Sequence, residues 1–464
     1  MPMPNLADRW FFVVDDNDVP THVAVMATFE LPEGAPPDYV RRLADDLRSV
    51  RTFSPPFNYR LTHPSLRRFA PSFTVLADDE VDLDYHFRFS ALPTPGGERE
   101  LGVLVSRLFS RPLDPQRPLW EVHLIEGLDN GRFAWFFKVH HGVMDGVGGM
   151  RRLGQLMDTD PESSELRAIW SLPVRSRRQR AKSAPSLQQR VERALGSARE
   201  GAVAAASLAL TTGQMVSQRV VAAEKDWVVP YSAPSSVLNG RVGQQRRFAT
   251  QSYDLARLVT VAKGFDVTVN DVFLAICGGG LRSYLGELDQ LPTDSLTVGI
   301  PVSIRDANDD ESSNAISVAF ASLHTEIADP VERIAAIARG TRRSKEKLRE
   351  LPTAAGDLYG PLVLSPIAVA QLTGLAGRTL PPFNVPVSNV PGPSDPLYLR
   401  GARLEGLWGL SIISHGAALS ITAGSMAGRF NVGFTGDRDR LPSLQRLAVY
   451  TGEALEELEQ ALLA

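Results

Sequence analysis

Residues 140 to 149 read His-His-Gly-Val-Met-Asp-Gly-Val-Gly-Gly, two imidazoles and a carboxylate set in a glycine-rich bend. An imidazole titrates near neutrality and a carboxylate beside it shifts that titration, so the group can take a proton from a hydroxyl and hand it on, as a general base does. The stretch leading in, Phe133 to Val139, has the alternation of a strand, whose side chains point to opposite faces in turn. Parity then puts Phe133, Trp135, Phe137, Val139 and His141 on one face and Lys138 and His140 on the other, which makes His141 the inward-facing candidate. A hydrogen-bonded core histidine is the plainer reading of any single imidazole, and for this pair both readings stand. The glycines at 142, 146, 148 and 149 let the chain turn sharply beside a ligand.

Other chemistries fit less well. Metal-assisted hydrolysis would enlist His140, His141 and Asp145, but neighbours on a strand face opposite ways and no third ligand group stands out. A serine hydrolase would show Gly-x-Ser-x-Gly, which the chain lacks. One cysteine, Cys277, excludes an internal disulfide and a cysteine-rich metal cluster, fits a reducing compartment, and sits in what reads as a buried helix. With 43% hydrophobic and 22% charged residues and a net charge of −4, the 464-residue chain reads as a folded, water-soluble protein with no nucleic-acid partner. The N-terminus lacks the blocks of a signal peptide, and residues 201–218 are too polar for a membrane span.

The elements that must hold the histidines can be taken in order. A strand over residues 22–30 precedes a helix from about Asp38 with Val40, Leu43, Leu47 and Val50 inward. Residues 82–89 read as a strand, and a helix from Glu98 buries Leu101, Leu104, Val105 and Leu108. Strands over 120–127 and 132–140 flank Asp129-Asn130-Gly131, a hairpin turn, and a helix over 150–157 should begin beyond the glycines. Residues 166–200 hold nine Lys or Arg against two Glu, a net of +7, either a solvated linker or a surface for anionic lipid. In the second half, Asn270-Asp271 opens a helix in which Gly278, Gly279 and Gly280 demand a close-packed neighbour, since each costs about 1 kcal/mol relative to alanine. Strands over 296–304 and 315–327, a helix begun by Asp329-Pro330 with Val331, Ile334 and Ala338 inward, and a terminal helix with Leu444, Leu447, Thr451, Leu455, Leu458 and Leu462 on one stripe complete the chain. The organisation expected is two mixed halves, residues 1–160 and 248–464, joined by a basic, helical crossover over 161–247.

The chain resembles the bacterial wax ester synthase/acyl-CoA:diacylglycerol acyltransferases. The resemblance runs from about Leu6 to the C-terminus and rests on Arg117-Pro118-Leu119-Trp120-Glu121, His140-His141-Gly142-Val143-Met144-Asp145-Gly146, Asn270-Asp271, Pro301-Val302-Ser303-Ile304-Arg305, Ser388-Asn389-Val390-Pro391-Gly392-Pro393 and Gly436-Asp437-Arg438-Asp439, in that family's order and spacing. It implies an α+β fold of two chloramphenicol-acetyltransferase-like halves, a pseudo-dimer around a central tunnel, with the aromatic face before the histidines as a tunnel wall. It also implies acyl transfer from acyl-CoA, as co-substrate, to a fatty alcohol or a diacylglycerol, with His141 as base, no covalent acyl-enzyme and no bound cofactor. Asp145 would pair with Arg305 to hold the loop, with His140 and Gly146 in support. Asn270 is either an oxyanion donor or a helix cap, and the loop carrying Ser388 and Asn389 either lines the tunnel or merely joins strands. Pro118, Leu119 and Trp120 read as packing. Two departures, Ser420 where many relatives carry asparagine and Leu6-Ala7 where Ser-Pro is usual, bear on acceptor preference. The implied location is cytoplasmic, with a peripheral membrane or lipid-inclusion surface as a further partner. The rival is a catalytically silent or condensation-like lipid-binding protein.

Overall fold

Alternating apolar runs of β-branched and aromatic residues form two six-stranded sheets in the computed structural model, which describes residues 2–4, 6–173, 228–303, 316–350, 363–367 and 369–463. The first part of the chain builds helix α1 (Leu6–Val14), strand β1 (His22–Glu30), helix α2 (Tyr39–Ser49) and a small hairpin of β2 (Tyr59–Leu61) with β3 (Phe73–Val75). Helix α3 (Leu83–His86), strand β4 (Phe87–Ala91), helix α4 (Glu98–Ser110), the hairpin β5 (Trp120–Leu128) and β6 (Arg132–His140), and helix α5 (Gly146–Leu156) follow. The second part contains β7 (Arg246–Asp254), α6 (Leu255–Gly264), α7 (Val269–Glu287), β8 (Thr297–Ser303), β9 (Ile316–Ser322) and α8 (Pro330–Glu350). It closes with β10 (Val385–Asn389), β11 (Tyr398–Leu399), β12 (Ala402–Leu410), β13 (Leu419–Met426), β14 (Arg429–Asp437) and α9 (Gln445–Leu463).

The sheet orders are β11-β12-β1-β6-β5-β4 and β7-β14-β13-β10-β8-β9, so both halves are mixed α/β, as expected. Late strands β11 and β12 nevertheless lie in the first sheet, where β12 runs antiparallel to β1. Between the halves, helix α4 covers the edge of β7, and its Ser106 and Ser110 hydroxyls accept from the N–H groups of Phe248 (3.0 Å) and Arg246 (2.8 Å). Those side chains satisfy donors of an edge strand that would otherwise stay open to another chain.

The hairpin that ends in the histidines is pinned on both faces. Asn130 (φ 55°) and Gly131 (φ 67°) make its tight turn. On β6, Phe133, Trp135, Phe137 and Val139 join one core cluster while Ala134 and Phe136 join another, so parity holds but both faces are buried. The aromatic face is therefore solid core rather than a tunnel wall. Lys138, expected on an outer face, is fully buried; its Nζ donates to the carbonyls of Leu108 (2.9 Å) and Arg111 (3.0 Å) and pairs with Glu121 at 3.2 Å. A lysine at the C-terminal end of α4 complements the helix dipole, and breaking such a buried pair is costly.

Several local expectations are corrected. Asp82 caps a helical turn by accepting from the Tyr85 N–H (3.2 Å), so the strand begins only at Phe87. Helix α5 starts at Gly146 and takes in the glycines, because the Asp145 cap supplies what they lack in propensity. Val331 is exposed, and Ile334 and Ile337 bury that helix. The three glycines of α7 do meet close neighbours: a Cβ at Gly278 would lie 2.6 Å from the Leu323 carbonyl oxygen, and one at Gly280 3.0 Å from the Thr451 nitrogen. The basic residues 175–182 and the helix expected over 187–220 lie outside the described residues.

Candidate active site

Strand β6 ends at His140, and the next two backbone links fix the turn. The His140 N–H donates to Leu119 O (3.0 Å) and the His141 N–H to Thr21 O (2.9 Å), so the residues just before β5 and β1 hold the pair from two sides. The N–H groups of Val143 and Met144 donate back to His140 O at 2.9 and 3.2 Å, closing the bend. Helix α1 lies across the turn. Phe11 stacks on His141 (centroids 3.8 Å, interplanar 25°) and Phe12 on His140 (4.3 Å, 19°). Gly142 permits this approach, because a Cβ there would stand 2.4 Å from the Phe12 ring and 2.9 Å from Asp8 O. Reading by sequence missed Phe11 and Phe12; the paired aromatics in a short helix were the available signal, but nothing local says what they cover.

The two imidazoles have different commitments. Nδ1 of His140 accepts from the Gly142 N–H (3.1 Å), which leaves the proton on Nε2 to be donated to Thr21 Oγ1 at 3.0 Å. Thr21 Oγ1 in turn donates to Phe11 O (2.8 Å), and the Thr21 N–H donates to Asp15 Oδ1 (3.0 Å). Burial, with His141 and Arg67 adding to it, drives the His140 pKa down to about 3. Every hydrogen-bonding position of that ring is in use. His141 is half-buried, and its Nδ1 has no hydrogen-bond partner among the described residues. Burial lowers its pKa too, while the Asp145 carboxylate pulls it back.

Asp145 caps α5, its carboxylate accepting from the Gly148 N–H at 2.6 Å. It shares a cavity of about 380 Å³ with Asp8, Tyr59, Val143, Met144 and Arg152. Burial first and Asp145 second raise the Asp8 pKa to about 6. A second cavity, about 120 Å³, reaches His140 between Phe12, Asp15, His22, Arg67 and Leu119. An apolar cavity of about 540 Å³ lies apart from the histidines, lined by residues in 229–232, 366–367, 369–383 and 414–417.

The remaining candidates divide. Arg305 lies outside the described residues. Gly146 is exposed, and a Cβ there would meet nothing within 4 Å. Asn270 is not the helix cap: Thr268 Oγ1 accepts from the Asp271 N–H (3.2 Å) and Asp271 answers by accepting from the Thr268 N–H (2.9 Å), a capping box that spans it. Ser388 reaches Thr422 on the adjacent strand (3.4 Å) and Asn389 is exposed. Their loop does come to the site's scaffold, since a Cβ on Gly392 would lie 3.7 Å from Met150 on α5. Trp120 is core, its Nε1–H donated to Phe57 O at 2.8 Å. Among the described residues no group of three or more His, Cys, Asp or Glu is placed to hold a metal ion.

Residues 5–273 match the wax ester synthase/diacylglycerol acyltransferase catalytic domain, and residues 312–459 match that family's C-terminal domain. The chain belongs to this family. It is 40% identical, over 98% of its length and 96% of the relative's, to a putative diacylglycerol O-acyltransferase of Mycobacterium tuberculosis, and 39% identical to a second, probable one, with 99% of each covered. The wax ester synthase/diacylglycerol acyltransferase of Marinobacter aquaeolei superposes over the whole of both chains with a TM-score of 0.80 at 36% identity. A condensation domain of the calcium-dependent antibiotic synthetase (TM-score 0.56, 15% identity) and a trichothecene 15-O-acetyltransferase from Fusarium sporotrichioides (0.58, 12%) share the fold. The histidine turn thus falls inside the family's catalytic domain.

Proposed function

We propose that the protein is an O-acyltransferase that moves a long-chain acyl group from acyl-CoA to the free hydroxyl of a diacylglycerol, with His141 as general base. The observation that carries the base assignment is the contrast within the pair: His140 is hydrogen-bonded through both nitrogens, whereas the Nδ1 of His141 has no hydrogen-bond partner among the described residues. In the step proposed, Nε2 takes the hydroxyl proton as that oxygen attacks the thioester carbonyl. The tetrahedral intermediate collapses with cleavage of the C–S bond, and the imidazolium returns its proton to the departing thiolate. The ester and free CoA leave, and no acyl group is ever bonded to the protein. Diacylglycerol stands first as acceptor because the curated relatives near 40% identity carry that name. A long-chain alcohol is the second reading, favoured by the name of the structural relative at 36%. Arg305 as partner of Asp145, Asn270 as oxyanion donor, and Ser388 and Asn389 as substrate contacts belong to the same proposal and rest on the motifs. Among the described residues no helix is long and apolar enough to cross a membrane, which suits a peripheral enzyme working at a lipid surface.

The test is direct. Purified protein is incubated with palmitoyl-CoA and either a diacylglycerol or hexadecanol, and thiol release and ester are followed together. Triacylglycerol is the expected product; no ester from either acceptor would leave the silent lipid-binding rival.

A further inference from the structure

We propose that the loop between β2 and β3, residues 62–72, is the element by which the protein docks on an anionic lipid surface. Residues 59–75 contain Arg60, His63, Arg67 and Arg68 and no Asp or Glu. At the loop's tip Phe69 is 86% exposed and Leu66 50%, with Val75 at 51% on the flanking strand. Phe69 is the only exposed Phe, Tyr or Trp side chain among the described residues. Leaving a phenylalanine in water forfeits the whole gain of burying it, and a cationic segment that presents aromatic and aliphatic side chains outward is the composition of an interfacial anchor.

The loop is built to present these side chains. Strand pairing aligns Tyr59 with Val75 and Leu61 with Phe73, and Leu61 and Phe73 are buried. The Thr62 N–H donates to Ser72 O (2.9 Å), and the N–H groups of Phe69 and Ala70 both donate to Leu66 O (3.0 Å), so the apolar pair sits on a hydrogen-bonded turn. Arg67 is matched by Asp15 (3.3 Å), whereas among the described residues Arg68 bonds only to the Asp15 carbonyl, so its charge, with that of exposed Arg60, is left for lipid headgroups. Asp15 is also the acceptor for Thr21, which holds His140, and Leu61 and Arg67 line the small cavity that reaches His140. A lipid surface bound here therefore lies beside an opening to the histidine turn.

This inference rests on a lipid acceptor, and the experiment separates the two. Full-length protein is floated with vesicles of equal phosphatidylglycerol and phosphatidylcholine, or of phosphatidylcholine alone, and thiol release is measured in parallel with detergent-dispersed diacylglycerol. The wild type is expected to float with the anionic vesicles. Partitioning should fall tenfold or more in the double variant Leu66→Ser, Phe69→Ser, fall several-fold in Arg60→Gln on the anionic vesicles alone, and be retained in Phe69→Trp. Turnover of the dispersed acceptor should stay at the wild-type rate in all three. The proposal is overturned if the wild type ignores anionic vesicles or if the double variant floats as the wild type does. It is equally overturned if binding is lost instead in Leu372→Ser, Leu380→Ser, which removes exposed leucines outside this loop. Loss of flotation in the double variant of a protein that turns over neither acceptor would keep the docking element and remove the acyltransferase reading.

Discussion

A base must be neutral before it can accept a proton, and at His141 burial holds the imidazole below the ordinary 6.5. The acid limb of kcat/KM should accordingly fall below pH 6.5, since lowering the pKa keeps the neutral form populated at lower pH; a limb above 7 would count against this assignment. Alanine at His141 removes the proton acceptor while leaving the turn's backbone bonds, and turnover should drop by about 10² to 10⁴ with the fold intact by circular dichroism. Phe11 stacks on that imidazole, and under the proposed mechanism it is a positioning residue. Its ring, 3.8 Å away, fixes the plane of His141 and keeps water from one face. In Phe11→Ala kcat should fall about tenfold, in line with a stacking contact worth about 0.5–1.5 kcal/mol. KM should change little and the acid limb should move up towards 6.5, a shift that simple loss of folded protein would not produce.

At the scale of elements, the same logic of close approach decides the sign of glycine substitutions. Alanine in a helix interior is ordinarily favoured over glycine by about 1 kcal/mol. On α7, however, a Cβ at Gly280 would stand 2.6 Å from Thr451 Cγ2 and 3.0 Å from the Thr451 nitrogen on α9, with both residues buried. Overpacking of that kind costs about 1–3 kcal/mol, so Gly280→Ala should lower the denaturation midpoint despite the better helix former. Gly142→Ala should do the same and cut turnover as well, because the atoms in its way belong to α1, which carries Phe11 and Phe12 onto the histidines. Equal activity in Gly142→Ala would mean that α1 can shift without disturbing the site.

For the molecule as a whole, burial lowers the pKa of His22, His86, His123, His140, His141 and His415. A group whose folded pKa lies below its unfolded value takes up a proton on unfolding, so stability present above pH 6.5 is lost as pH falls. For His140 that window runs from about 6.5 down to about 3. Each such proton steepens the fall by about 1.4 kcal/mol per pH unit. Asp8, raised to about 6, works the opposite way between about 3.8 and 6, but the histidines outnumber it. Denaturant midpoints should therefore decline steadily from pH 7 to 5; a flat or rising profile would mean these imidazoles are not held neutral.

The repeating patterns were legible because they are local. Period-two alternation placed β1, β5 and β6, helical spacing placed α2, α4 and α9, and Asn130-Gly131 marked the hairpin turn that delivers His140 and His141 to one strand end. The glycine run at 278–280 announced a close neighbour by its cost alone, and the histidine motif announced acyl transfer by resemblance. What the sequence leaves open is set by segments far apart in the chain. Thr21 and Gly142 commit His140, α1 roofs both rings, Lys138 finds Glu121 and two carbonyls at the end of α4 in the core, and β12 crosses back to pair with β1. Hydrogen bonds and stacking of that kind depend on where chain segments meet in space, and no periodicity within a segment records its partner.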